Sequence, residues 1–320
     1  MDFNKQHSTP WHVPVMLDEV INILRPKNGS IIIDNTVGGA GHAEEIIKAI
    51  APEGILIGID KDKQALCAAR NKLSKYKTGF KLIHGNFKDV LYIAKELDLS
   101  TISGALYDLG TSWAQIDYPE RGFSYIREGP LDMRMDSSQK LTAYEVINSY
   151  SEEKLNEIFK KYGEERYSYQ IARAIVDHRK KKKIETTLEL TEIINNAVSG
   201  KAKRRGHPSK RIFQAIRIEV NDELNSLKQG LEDIFKLLEV GGRIVVLSYH
   251  SLEDKLVKNI FLKLIDGCIC PEWYPVCTCG RKDKAKLISK GALMPTSKEV
   301  MKNPRASSAK LRAIEKVQPL

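Results

Sequence analysis

Nowhere in its 320 residues does the chain stay apolar for the roughly 20 positions that a bilayer-crossing helix needs. Its first residues, Met1 to His12, lack the basic-then-apolar order of a secretory signal. These two absences set the expectation of a cytoplasmic protein with no membrane partner. Cysteine is scarce as well. There are five, and four crowd between Cys268 and Cys279, which is not the spread framework of a secreted disulfide domain. In a reducing compartment Cys268, Cys270, Cys277 and Cys279 are thiols or metal ligands. Their two C-x-C pairs are less diagnostic of zinc than paired C-x-x-C, so no metal is assigned to them.

What is present is ordinary for a globular chain: 42% hydrophobic and 29% charged residues, enough to exclude a disordered or collagen-like protein. The length is about twice that of a usual domain. Two units, or one unit carrying a large insertion, are therefore expected.

The net charge of +10 is local. Between Arg173 and Arg217 there are 13 Lys and Arg against 4 acidic residues, which leaves the rest nearly neutral. One cluster runs from Arg179 through Lys181 to Lys183, and a second comprises Lys201, Lys203, Arg204, Arg205, Lys210 and Arg211. Clustered cations release counterions when they neutralise a polyanion, so Arg179, Lys181, Lys203, Arg204, Arg205, Lys210 and Arg211 are the candidate nucleic-acid contacts. The alternative is a solvated helix end and loop.

Short β-branched runs at Ile31 to Ile33, Ile55 to Ile59, Phe80 to Ile83 and Ile102 to Tyr107 alternate with helical stretches such as Asp62 to Leu73. That alternation predicts an α/β fold, a parallel sheet with helices on both faces. It stops after Asp108. Residues from about Ser112 to Arg217 read as loops and amphipathic helices, and a buried strand returns at Gly242 to Leu247. The expected organisation is a sheet domain of residues 1–111 and 218–320, interrupted by a basic helical insertion of residues 112–217. The tail from about Lys298 is basic and weakly patterned.

The strand Ile31-Ile32-Ile33-Asp34 runs into Asn35-Thr36-Val37-Gly38-Gly39-Ala40-Gly41-His42, and a helix restarts at Ala43. Such a turn brings backbone close to a ligand. Asp60 ends the next strand, where a carboxylate accepts hydrogen bonds from ribose hydroxyls. Glu44 stands where a dinucleotide fingerprint has its third glycine, and Asp34 repels a pyrophosphate but suits an ammonium. The pair of signals favours S-adenosylmethionine over a dinucleotide. Asp108 ends a later strand, at the edge where open α/β sheets bind ligands. There a carboxylate, with the Leu109 carbonyl, can accept an N–H from a weakly nucleophilic base amine. Carbon methylation of cytosine would need a cysteine nucleophile nearby, and none of the five lies there. Asp108 capping a turn is the structural alternative.

These motifs resemble those of the bacterial 16S ribosomal RNA cytosine-N4 methyltransferases. The likeness runs through nearly the whole chain: His12-x-Pro14-Val15-x-Leu17-x-Glu19, the Gly38 to His42 turn, His84-Gly85-Asn86-Phe87, Asp108-Leu109-Gly110 and Glu120-Arg121-Gly122-Phe123-Ser124. It continues through Gly129 to Asp136, Tyr162 to Arg166, Phe213 to Arg217 and Ser248 to Asp254. The resemblance implies a class I methyltransferase (Rossmann-like) doubly wound sheet with an inserted helical domain, and methylation of a decoding-centre cytidine in the small ribosomal subunit. It implies cofactor contacts at Ala40, Gly41, His42, Asp60, Phe87, Asp108 and Gln115, with Gly39 in the same loop at the methionine end. Trp113 stands where the family usually has a second serine, although the spacing to Gln115 is kept.

His250 has two readings, a catalytic group at a strand end or part of the cap of a helix opening at Ser251. Pro130 to Asp136 is either an ordered loop or a lid. Trp113, Tyr118, Phe123 and Tyr125 are candidates to stack on a flipped base. A cofactor-binding ribosome assembly factor without catalysis remains open, as does, with less support, a nicotinamide-dependent oxidoreductase. A homodimer is compatible with the sequence, which does not fix the oligomeric state.

Overall fold

The computed structural model describes residues 14–198, 207–265, 270, 273, 274, 276, 278, 279 and 283–319, with the backbone alone for Trp113 and Ala114. It divides into two compact units, one of residues 1–110 and 226–320 and the other of residues 111–225.

The first unit is built on seven strands: β1 (Ile31–Asp34), β2 (Ile55–Asp60), β3 (Gly79–His84), β4 (Ile102–Asp108), β5 (Leu238–Ser248), β6 (Ala285–Leu287) and β7 (Lys310–Lys316). Their order across the sheet is β3-β2-β1-β4-β5-β7-β6. The first five run parallel, and β7 lies antiparallel to both β5 and β6. Helices on both faces make this the doubly wound sheet of the class I methyltransferases.

Successive side chains of a strand point to opposite faces, and here both faces are covered, so the parallel strands read as continuous apolar runs. On one face Ile32, Leu56, Leu106, Val245 and Leu247 meet α1 (Leu17–Leu24) and α2 (Gly41–Ile50) through Val20, Leu24, Ile46 and Ile47. On the other, Ile33, Ile57, Ala105, Tyr107 and Val246 meet α4 (Val90–Glu96), α11 (Glu223–Leu237) and α12 (Ser251–Ile265) through Ile93, Leu231, Phe235 and Val257. α3 (Lys63–Leu73) follows β2, its first turn capped by the Asp62 carboxylate, which accepts from Gln64 N at 3.0 Å.

The basic tail is not loose. α13 (Ser297–Lys302) precedes β7, a strand interior to the sheet with Leu311, Ala313 and Ile314 buried. Its charges are held by tertiary partners: Arg312 Nε donates to Asp254 at 2.6 Å, and Glu315 accepts from Arg243 at 2.8 Å.

The second unit is helical among its described residues: α5 (Trp113–Asp117), α6 (Ala143–Ser149), α7 (Glu152–Gly163), α8 (Ser168–Arg179), α9 (Thr187–Ala197) and α10 (Pro208–Asn221). Leu155, Phe159, Ile171, Ile175, Leu190, Ile194, Ile212 and Ile216 form its core. Two helix starts carry full capping boxes, Thr142 with Glu145 and Thr186 with Glu189, each satisfying backbone donors that would otherwise be orphaned. No helix among the described residues is long and apolar enough to cross a membrane.

Candidate active site at the carboxyl ends of the strands

Parallel strands end together, so the residues that close β1, β2 and β4 meet at one edge. They are Asp34, Asp60 and Asp108, three carboxylates on neighbouring strands. Burial chiefly, with the charges of Asp108 and Asp60 and against a lowering hydrogen bond from Thr36 N, pushes the Asp34 carboxyl up to about 7. Asp60 is pushed up to about 6, again chiefly by burial. Crowded, desolvated carboxylates favour a cation and disfavour a phosphate.

The turn after β1 is wired to this edge. Thr36 N donates to Asp34 Oδ1 at 3.1 Å, and Asp108 N donates to the Thr36 hydroxyl at 2.6 Å. Val37 N donates to the Ile59 carbonyl at 3.0 Å. Gly38, at φ +50°, adopts the left-handed conformation and aims its N–H at Asp60 Oδ2, 2.9 Å away. The other oxygen of Asp60 accepts from Asp62 N at 2.8 Å. With one lone pair engaged on each oxygen, the carboxylate is held in place and keeps acceptor capacity for a diol. Gly39 lies in the same turn, Ala40 sits at the helix N-cap with φ 61°, and Gly41 opens α2.

His42, one residue into α2, is buried. Its Nε2 lies 2.9 Å from the Val15 carbonyl oxygen, and its Nδ1 lies 3.5 Å from Asp108 Oδ2. The opposite oxygen of Asp108 accepts from the Tyr249 hydroxyl at 2.6 Å. Burial and the Asp108 charge hold the Tyr249 phenol well above its usual range, so it stays protonated and donates. Gly110, at φ +100°, lets the chain turn beneath that ring; a Cβ there would sit 3.4 Å from it.

Phe87 follows the Asn86 cap and packs edge-on to Tyr107, with ring centroids 5.4 Å apart. It lies so close to Gly230 that a Cβ added there would come within 2.9 Å of its ring. The Tyr107 hydroxyl donates to the Gly230 carbonyl at 3.0 Å, fixing the pair. Gln115 belongs to the second unit, where its side-chain carbonyl accepts from Ser112 N at 3.0 Å.

His250 occupies the N-cap side of α12. Its Nδ1 accepts from Glu253 N at 3.3 Å, while the Glu253 carboxylate accepts from Tyr249 N at 2.9 Å and from His250 N at 3.3 Å. The reciprocal cap expected at Ser251 is thus made one residue earlier, and its geometry gives His250 a structural task.

Of the candidate RNA contacts, Lys181 and Lys210 are exposed. The Arg179 guanidinium is committed to the carbonyls of Ile147 and Tyr150, close to the C-terminal end of α6. Arg211 pairs at 2.6 Å with Glu165, whose side chain is fully buried. Lys203, Arg204 and Arg205 lie outside the described residues, as do Cys268 and Cys277. Cys270 Sγ lies 3.8 Å from the Thr278 hydroxyl.

The Pro130 to Asp136 stretch is an ordered loop. Leu131 and Met133 are buried in the helical core, and Asn221 bridges the Met133 carbonyl at 2.8 Å and Met135 N at 2.7 Å. Of the candidate stacking residues with described side chains, Phe123 and Tyr125 pack against that core, whereas Tyr118 is exposed.

Sequence reasoning missed Tyr249 and Thr36 as site residues. The signal for Tyr249 is the register: Leu247 pairs with Asp108 across β4 and β5, so a residue two further on reaches that carboxylate.

Comparison with known proteins bears on this geometry. The family model described as the MraW methylase family matches residues 9–317. The chain is similar to the ribosomal RNA small subunit methyltransferase H of Carboxydothermus hydrogenoformans, at 50% identity over 306 residues, 96% of this chain and 98% of that one. It is 48% identical to the same enzyme of Halothermothrix orenii over 307 residues, 96% of this chain and 98% of the relative. For that of Clostridioides difficile the identity is 44% over 307 residues, covering 96% and 99%.

Proposed function

Because the chain belongs to the MraW methylase family, we propose that it transfers the methyl group of S-adenosylmethionine to the N4 amine of a cytidine in 16S ribosomal RNA of the small subunit, in the cytoplasm. The observation that carries this reading is the convergence of Asp34, Asp60 and Asp108 at the ends of adjacent strands.

The donor set fits the cofactor. Asp34 offers a counter-charge for an ammonium, Asp60 offers acceptors for ribose hydroxyls, and the backbone from Gly39 to His42 passes beside them. When bound, S-adenosylmethionine supplies an electrophilic methyl on a sulfonium. The chain's own task is to make a poor nucleophile reactive. A cytosine amine has its lone pair delocalised into the ring, and accepting its N–H draws the nitrogen towards pyramidal geometry. Two contacts support that role for Asp108: Oδ1 is held by Tyr249 and the backbone by Thr36. Fixing the carboxylate before substrate arrives removes reorganisation from the chemical step.

The helical insertion, residues 112–217, would recognise the RNA. Lys180, Lys181 and Lys210 are exposed cations suited to phosphates, and Lys203, Arg204 and Arg205 add to the same charged stretch. Arg179 and Arg211 contribute through the fold of that unit.

The test is transfer of labelled methyl to small subunits from cells lacking the gene, followed by nucleoside mass spectrometry. Label in N4-methylcytidine supports the reading. Cofactor binding without transfer to intact subunits, assembly intermediates or naked ribosomal RNA overturns it in favour of a non-catalytic assembly factor.

A further inference from the structure

We propose that His42 and Asp108 hold one proton between them in each methyl transfer, His42 being a positioning residue that acts through Asp108; this rests on the methyl-transfer role of Asp108.

The argument begins with the ring's far side. His42 Nε2 lies 2.9 Å from the Val15 carbonyl oxygen, an atom that can only accept, so Nε2 carries the hydrogen. A neutral ring in that tautomer presents a bare Nδ1. That atom faces Asp108 Oδ2 at 3.5 Å. Two lone pairs set against each other in a buried place repel, and one added proton converts the repulsion into an imidazolium–carboxylate pair. The second oxygen of Asp108 is already supplied by Tyr249, so the proton has Oδ2 and Nδ1 as its addresses.

The surrounding titratable groups are acidic. Asp34 faces Asp108 with like charge, Asp60 faces Asp34, and Glu253 and Glu299 act on Tyr249. All four are acidic, so the groups around the Asp108–Tyr249 pair carry one sign.

The balance closes without a further reagent. The amine nitrogen forms a bond to the methyl carbon as the carbon–sulfur bond breaks and its electron pair stays on sulfur. The nitrogen then carries one proton too many, which passes to Asp108 Oδ2 and on to His42 Nδ1. Loss of that proton to water as product departs resets the pair. An enzyme whose pair is already loaded cannot accept, so kcat is lower wherever the pair starts with its proton.

Two measurements test this on the full chain. Selective 15N labelling of histidine reports tautomer and titration directly. The expected result is a neutral His42 ring with hydrogen on Nε2, and a ring that takes up its second proton less readily in Asp108→Asn, for loss of the opposite charge. In kinetics, His42→Gln keeps a donor for Val15, and it should lower the plateau of kcat at least about tenfold with little change in KM for S-adenosylmethionine. It should also remove part of the ascending pH limb. Asp34, pushed up to about 7, adds a limb of its own that persists in that variant, so the part that disappears belongs to His42.

Hydrogen on Nδ1 of the neutral ring, or a His42 titration indifferent to Asp108→Asn, overturns the proposal. A His42→Gln enzyme with the parental pH profile of kcat and only a weaker affinity for S-adenosylmethionine overturns it too. A parent inactive on every ribosomal RNA substrate overturns the methyl-transfer reading, and the relay with it, even where the coupled titration is seen.

Discussion

The Tyr249 hydroxyl donates to Asp108 Oδ1 at 2.6 Å across 141 residues of chain, and the two side chains form the centre of the candidate site. Removing one differs from removing the other. Asp108→Ala deletes the acceptor for the amine and should lower kcat by about a hundredfold or more. Tyr249→Phe leaves the Asp108 backbone anchored through Thr36 and the ring packed on Gly110, so its cost should be the smaller, about ten- to a hundredfold, the worth of one charge-assisted hydrogen bond. Steady-state kinetics of the two variants, with cofactor affinity measured separately, check the ranking.

Asp34 links the site to stability. Its carboxyl sits at about 7 in the folded protein and at 3.8 as an isolated group. A raised pKa in an acid means that the folded state holds the proton more tightly. The stabilisation is complete below about 4, declines as pH rises and is gone above about 7. Asp34→Asn escapes the cost of the buried anion. Its Tm should exceed that of the parent at pH 8 and converge with it near pH 4, while its affinity for S-adenosylmethionine falls for want of a counter-charge. Thermal scans across pH with and without cofactor report both; a Tm difference independent of pH would contradict the assignment.

Exposed and engaged cations should behave differently. Lys181→Glu combined with Lys210→Glu should weaken RNA binding and flatten its dependence on salt, by about 0.7–0.9 in the log–log slope for each phosphate no longer neutralised. Cofactor affinity should not move. A titration at several salt concentrations decides it, and an unchanged slope removes these lysines from the interface.

Arg211→Ala addresses the fold of the helical unit. It strands the Glu165 carboxylate, which is fully buried and, among the described residues, would keep only the hydrogen bond from Tyr167 N at 2.9 Å. Breaking one partner of a buried pair costs about 3–5 kcal/mol. Denaturant unfolding should show that loss, and RNA affinity should recover under conditions that refold the unit.

Much of the sheet could be read from the sequence because its causes are local. The β-branched runs of β1, β2, β3 and β4 announce buried parallel strands, and the glycine turn with Asp34, Asp60 and Asp108 announces the ligand edge. β7 did not, since Lys310, Arg312 and Glu315 look solvent-bound until Asp254 and Arg243 are known to meet them. The same holds for Arg179 and Arg211, whose positions in a basic stretch conceal their intramolecular partners. Tyr249 was hidden by distance along the chain, whereas a cap at His250 was one of its two readings and is made one residue earlier than the sequence pattern implied.

The sheet order has a temporal side. β4 lies between β1, completed early in synthesis, and β5, which follows only after the whole helical unit has been made. A nascent chain that has just finished Asp108 therefore has a carboxylate with neither its tyrosine nor the strand that delivers it. The outer flank of β5 waits longer still, for β7. The reactive centre becomes whole only after the helical unit has been made, so a chain cut short between β4 and β5 carries the glycine turn and Asp108 but lacks Tyr249.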